Sequence, residues 1–185
     1  MKFFTTQEAK GWCEARGLKV TDNHYLRYEP EHPHCFTVGL EDKPSSVIAM
    51  AEYLMPSWEE VPFEGALLWI RERGIWGDHS ERTGGVIIEQ MRLARGEAAA
   101  LAERPAHLFS RDEVYETHSF FLIPVLFGWD AFLVPECGDY FVFASHDGVA
   151  EVVGRTANKA EELQARMKDW NPRADNSWYP RISSR

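Results

Sequence analysis

Between Asp112 and Gly154 the chain has no Lys or Arg, although it is 185 residues long and carries twenty basic side chains elsewhere. Eight carboxylates fall in that same stretch: Asp112, Glu113, Glu116, Asp130, Glu136, Asp139, Asp147 and Glu151. With a formal net charge of -9, this argues against a direct nucleic-acid partner and toward a basic one. Cysteine is also sparse. Cys13, Cys35 and Cys137 are three in number and widely spaced, with no CxxC pair, which predicts reduced thiols rather than a disulfide framework or a zinc ribbon. No apolar run approaches the roughly 18 residues needed to cross a bilayer, and no apolar leader opens the sequence, so a cytoplasmic protein with no membrane partner is expected. Internal repeats, low-complexity blocks and linker-like composition are missing as well, which leaves one domain over 1–185 as the expectation.

Aromatic content is high: seven Trp, eleven Phe and six Tyr within 44% hydrophobic residues, enough apolar surface to offset the entropy of ordering. The densest region runs from Phe120 to Gly154. It reads as strands over Trp129–Val134, Tyr140–Ser145 and Val149–Val153, with a turn at Pro135–Asp139. His146-Asp147-Gly148 is a hairpin signal, because glycine after aspartate accepts the positive φ of a tight turn.

Thr5 and Glu8 have capping-box spacing, and a helix is expected from there to Gly17. Tyr25–Tyr28 and Cys35–Leu40 read as two strands of a hairpin around Pro30-Glu31-His32-Pro33. Ser45 or Ser46 opens a helix with Val47, Met50, Ala51 and Leu54 on one face, and Ala66–Ile70 reads as a buried strand. A long helix is expected from Asp78 or Ser80 through Leu101 to Pro105, and another from the Ser110/Glu113 capping pattern to Pro124. Asn158 with Glu161 suggests the cap of a last amphipathic helix, followed by an irregular tail over 171–185 in which Trp178, Tyr179 and Pro180 pack back on the body. The pattern predicts an α+β fold: a mostly antiparallel sheet of about six strands, covered by helices on one face, ending in a three-strand meander and a helix.

No motif is specific enough to name an activity. Ser145-His146-Asp147 contains triad residue types, but neighbours on a strand or tight turn point apart, and no Gly-x-Ser-x-Gly elbow accompanies them. Cys137 in a turn, with His146 or His118 approaching it, is the candidate nucleophile and base. His24, His32, His34 and Cys35 are the candidate metal ligands, with a spacing that matches no specific zinc pattern. Thr83-Gly84-Gly85 lacks the rest of a phosphate-binding motif, and no cofactor is implied.

The leading expectation is a non-enzymatic acidic accessory protein that docks a basic protein partner, as inhibitors or immunity proteins do. Trp129 serves as aromatic anchor, with Phe132 and Tyr140 as further candidates, and Asp130, Glu136, Asp139 and Asp147 as contact charges. The alternative is a small hydrolase or transferase with a Cys/His or His/carboxylate pair in a cleft beside the meander. Aromatic richness also makes a homodimer unsurprising.

Overall fold

A computed structural model of the chain describes residues 1–21, 25–28, 34–40, 43–55, 63–73 and 78–174, and of 78–82 it describes the backbone alone. In chain order the elements are β1 Lys2–Phe4, α1 Thr6–Glu14, β2 Leu18–Val20, β3 Leu26–Tyr28, β4 His34–Gly39, α2 Pro44–Leu54, β5 Gly65–Glu72, α3 Asp78–Leu93, β6 Ala106–Ser110, α4 Val114–Phe127, β7 Asp130–Pro135, β8 Tyr140–Ser145, β9 Val149–Gly154 and α5 Ala157–Arg166. The fold is α+β. Seven strands form one antiparallel sheet in the order β1-β6-β5-β7-β8-β9-β4, and β2-β3 form a separate antiparallel pair. The meander β7-β8-β9 lies within this sheet, its last link closed by Gly148 at φ +77°.

Alternation along the strands feeds two cores. Ala131 and Leu133 of β7 join Val47, Met50, Ala51 and Leu54 of α2, Ile88 of α3, Phe120 and Phe121 of α4, and Leu163 of α5. Phe132 and Val134 point the other way, onto Ala9 and Cys13 of α1 and the β2-β3 pair. Both faces of the sheet are therefore covered, where helices on one face were expected. The physical sign is the near-continuous apolar character of β5, β7, β8 and β9, which suits strands enclosed on both sides. Each Leu or Phe enclosed in this way contributes roughly 1.5–3 kcal/mol of transfer free energy.

Several local expectations hold for stated reasons. Thr5 and Glu8 form a reciprocal capping box on α1, and Val47, Met50, Ala51 and Leu54 are the buried face of α2. Others are corrected. The partner of β3 is β2, too short at three residues to stand out in the sequence, while β4 pairs with β9. The sheet has seven strands rather than six: β1 and β6 extend one edge, and β3 leaves for the separate pair. α3 stops at Leu93: Gly96, at φ +83°, donates its N–H back to Leu93, and Leu101 is buried from a loop rather than from a helix. α4 runs through Pro124 to Phe127, where Gly128 in the left-handed region caps it. Glu113 bonds the Ser110 backbone and hydroxyl, closing a turn just before α4 instead of capping it. Thr156, not Asn158, caps α5. After a short 3-10 turn at Lys168–Trp170, Arg173 pairs with Thr37 at the edge of β4, through mutual backbone bonds of 2.9 and 2.8 Å. Trp178, Tyr179 and Pro180 lie outside the described residues.

Gly84 and Gly85 fall inside α3 rather than at its start, so no phosphate cradle forms there. Gly84 has a packing reason: a Cβ at this position would stand 2.8 Å from ring carbons of both Phe127 and Trp129. Gly84→Ala is expected to destabilise the protein by about 1–3 kcal/mol through overpacking, despite alanine's better helix propensity. Urea unfolding checks this, and an unchanged or raised midpoint would show that α3 moves aside at no cost.

Candidate functional site

At one end of the sheet, β7 begins with Asp130 where β8 ends with Ser145. Asp130 is 3% exposed, and its Oδ1 accepts two hydrogen bonds of 2.8 Å, from the His146 backbone N–H and from His146 Nδ1. A carboxylate accepts, so Nδ1 carries the proton and Nε2 is the basic nitrogen of the neutral ring. Asp147 Oδ1 stands 3.6 Å from Nε2. Ser145 Oγ accepts the Asp147 N–H at 3.2 Å, so the hydroxyl serves the turn and is not delivered to the imidazole. Ser145, His146 and Asp147 are not a triad; the pair that forms is His146 with the distant Asp130.

A second acid shares this face of the sheet. Thr37, Glu151, Phe143, Phe132 and Trp69 lie directly opposite one another on β4, β9, β8, β7 and β5, so their side chains project to one side in a row. Tyr25 sets its ring edge-on to both Phe132 and Phe143, at 6.1 and 5.7 Å. Glu151 is 3% exposed in this aromatic setting, and its Oε1 has no hydrogen-bond partner among the described residues. Burial pushes its pKa up from 4.5 to about 7. Asp130 lies on the same face as Phe132, two residues along β7. Strand spacing and rise put its Cα about 12 Å from that of Glu151.

The opposite end of the sheet holds Cys137. Its thiol is free, and burial pushes its pKa up, away from the reactive thiolate. The six residues of β8 separate its turn from His146 by about 20 Å. His118, half-buried on α4, has no hydrogen-bond partner at Nε2 among the described residues. Cys137 and His146 are therefore held apart, because their turns sit at opposite ends of one strand.

The expected aromatic anchors are core residues. Trp129, Phe132 and Tyr140 are all buried, so none offers a contact surface. Phe132 and Tyr140 go inward because both faces of the sheet are covered, and Trp129, just before β7, joins the core beside Phe127. The eight carboxylates also divide. Asp130 and Glu151 are interior, Glu113 pairs with the Met1 amine, Glu116 with Arg95, and Glu136 with Arg16. Arg16 also donates to the Glu136 carbonyl at 3.2 Å and lies over the Trp12 ring, which clamps the β7-β8 turn onto α1. Asp112, Asp139 and Asp147 remain exposed without a Lys or Arg partner among the described residues.

Of the candidate metal ligands, His34 is exposed at the start of β4 and Cys35, its neighbour, points to the opposite face of the strand. His24 and His32 lie outside the described residues. Among the described residues no three His, Cys, Asp or Glu side chains converge as metal ligands, and no helix is long and apolar enough to cross a membrane. Comparison with known proteins finds no matching family, no matching curated protein and no matching solved structure.

Proposed function

We propose that this protein is a non-enzymatic accessory protein that docks a basic protein partner through carboxylates on its inter-element turns, in the manner of small inhibitors that mask a basic site. The observation that carries this reading is the set Asp112, Asp139 and Asp147, three exposed acids on turns, in a chain of net charge -9. Such charges raise encounter rates with a basic surface and suppress acidic competitors. Asp112 and Asp139 lie toward one end of the sheet, since Gly65 pairs with Ser110 and its carbonyl accepts the Glu136 N–H. Asp147 lies at the other. Charge reversal distinguishes the ends: Asp112→Lys with Asp139→Lys, or Asp147→Lys, is expected to abolish low-salt co-purification of the cognate partner in one case and spare it in the other. Retention of that partner by the combined triple variant would sink the proposal. Glu136 is left intact, because its loss would strand Arg16.

A second reading, a small hydrolase or transferase, is favoured by the Asp130–His146 pair. His146 would act as general base, held in one tautomer by Asp130, and Glu151, with its pKa near neutral, would act as the acid on the same face. On this reading Glu151→Gln removes turnover; on the docking reading it leaves partner binding intact.

A further inference from the structure

The outer side of α4 carries Tyr115, Ser119, Leu122 and Leu126, spaced four, three and four residues apart, which places all four on one stripe of the helix. Tyr115 is 69% exposed and Leu126 43% exposed; Ser119 is exposed and Leu122 half-buried. An amphipathic covering helix turns charged and polar residues outward, whereas this stripe carries no charge: two leucines, one serine and one phenol. The Ser119 hydroxyl donates to the Tyr115 carbonyl at 2.8 Å, so covering the stripe would leave no orphaned hydroxyl there.

We infer that α4 is a self-association surface, on which a second copy of this chain packs its own α4 antiparallel. The spacing reads the same in both directions. An antiparallel copy therefore sets Tyr115 against Leu126 of its mate and small Ser119 against Leu122, twice over, as a two-fold interface requires. Small opposite large lets the helices approach closely at the crossing.

Charge selects the same occupant. Glu116 is the one Asp, Glu, Lys or Arg in the fourteen residues of α4, in a chain where such residues make up 26%, and it is neutralised by Arg95 in the turn after α3. Two molecules of charge -9 repel elsewhere on their surfaces, so a locally neutral apolar face is where they meet at least cost. A basic partner would find no unpaired carboxylate here. α3 runs antiparallel beside α4, with Gly84 against Phe127 and Arg95, just past the end of α3, on Glu116.

Light scattering and sedimentation of the full chain across the micromolar range test the inference. The expected result is a reversible species of twice 21.3 kDa, with Ser119→Arg weakening association by roughly tenfold or more while the circular dichroism spectrum is unchanged. A second arm reads proximity directly: Tyr115→Cys with Leu126→Cys, in a Cys137→Ser background, is expected to form covalent dimers on mild oxidation, and neither single cysteine variant is. Within one chain those positions are about 16 Å apart, too far for a disulfide. A 21.3 kDa species at every concentration, or a dimer that survives Ser119→Arg, overturns the inference.

Discussion

Glu151→Gln is expected to stabilise the protein at pH 8 by up to about 3 kcal/mol and to change little near pH 4, because burial raises the pKa of this carboxyl from 4.5 to about 7. An acid whose pKa is raised by folding holds its proton more tightly in the folded chain than in the unfolded one. Its neutral form favours the fold below pH 4.5, and that advantage disappears as pH rises through 7. Above that range the native state must enclose a carboxylate whose Oε1 has no partner among the described residues, between Thr37 and Phe143. Glutamine keeps the shape and removes the charge. Urea unfolding of both proteins at pH 4 and pH 8 reads the difference directly, and every other titrating group cancels because both chains carry it. An equal gap at the two pH values, or a loss of stability at pH 8, would show that Glu151 is solvated or paired in solution.

A side chain that costs the fold several kcal/mol is the kind of residue that function retains. It was also legible in principle. Val149, Ala150, Val152 and Val153 surround Glu151 with apolar residues at both parities, the pattern of a strand enclosed on both faces, in which a lone acid must be buried. Charge alone groups Glu151 with the other seven carboxylates of its stretch, and parity separates it. Asp130 was hidden for a different reason. Its partner lies sixteen residues away, and only the β7-β8 register brings the two together.

The hairpin at Asp147-Gly148, the Thr5–Glu8 cap and the buried face of α2 could be read because each rests on residues within one turn or one strand pair. Strand partners could not. β4 looks like the mate of β3 by proximity, yet its alternation of Phe36 and Val38 fits against Val152 and Ala150 of β9, more than a hundred residues on. α3 ends before its apolar period does, because Ala98 and Leu101 continue the helical spacing past Gly96, and periodicity does not reveal that Leu101 is buried from a loop.

That loop depends on Arg92, whose replacement by methionine is expected to destabilise the protein by about 3–4 kcal/mol, a large part of an ordinary folding free energy. Arg92 is 1% exposed at the end of α3. It donates to the Arg104 carbonyl at 2.7 Å, to the Ala99 carbonyl at 3.0 Å and to His107 Nε2 at 3.0 Å, and it lies 5.1 Å from the Phe3 ring. One guanidinium thus ties α3 to the 97–104 segment, to β6 and to β1. Methionine fills the volume but strands two carbonyls and a ring nitrogen. Arg92→Lys keeps the charge yet cannot span acceptors arranged for a fork, so it is expected to lose about 2 kcal/mol. The acid limb gives an independent signature. A guanidinium donates only, so His107 Nε2 accepts and the ring is neutral; burial, then Arg92, hold its pKa down to about 3 against an ordinary 6.5. A histidine whose pKa is lowered by folding stabilises the native state fully above pH 6.5 and loses that contribution as pH falls toward 3, at about 1.4 kcal/mol per pH unit. Without Arg92 one of the two causes is gone, the folded pKa of His107 rises, and the acid loss is smaller in total. Denaturation midpoints for both variants, with the pH of the methionine variant and the parent taken from 7 down to 3, decide the matter: a methionine variant as stable as the parent, or one with an unchanged acid limb, would mean that the guanidinium is not what fastens this corner of the fold.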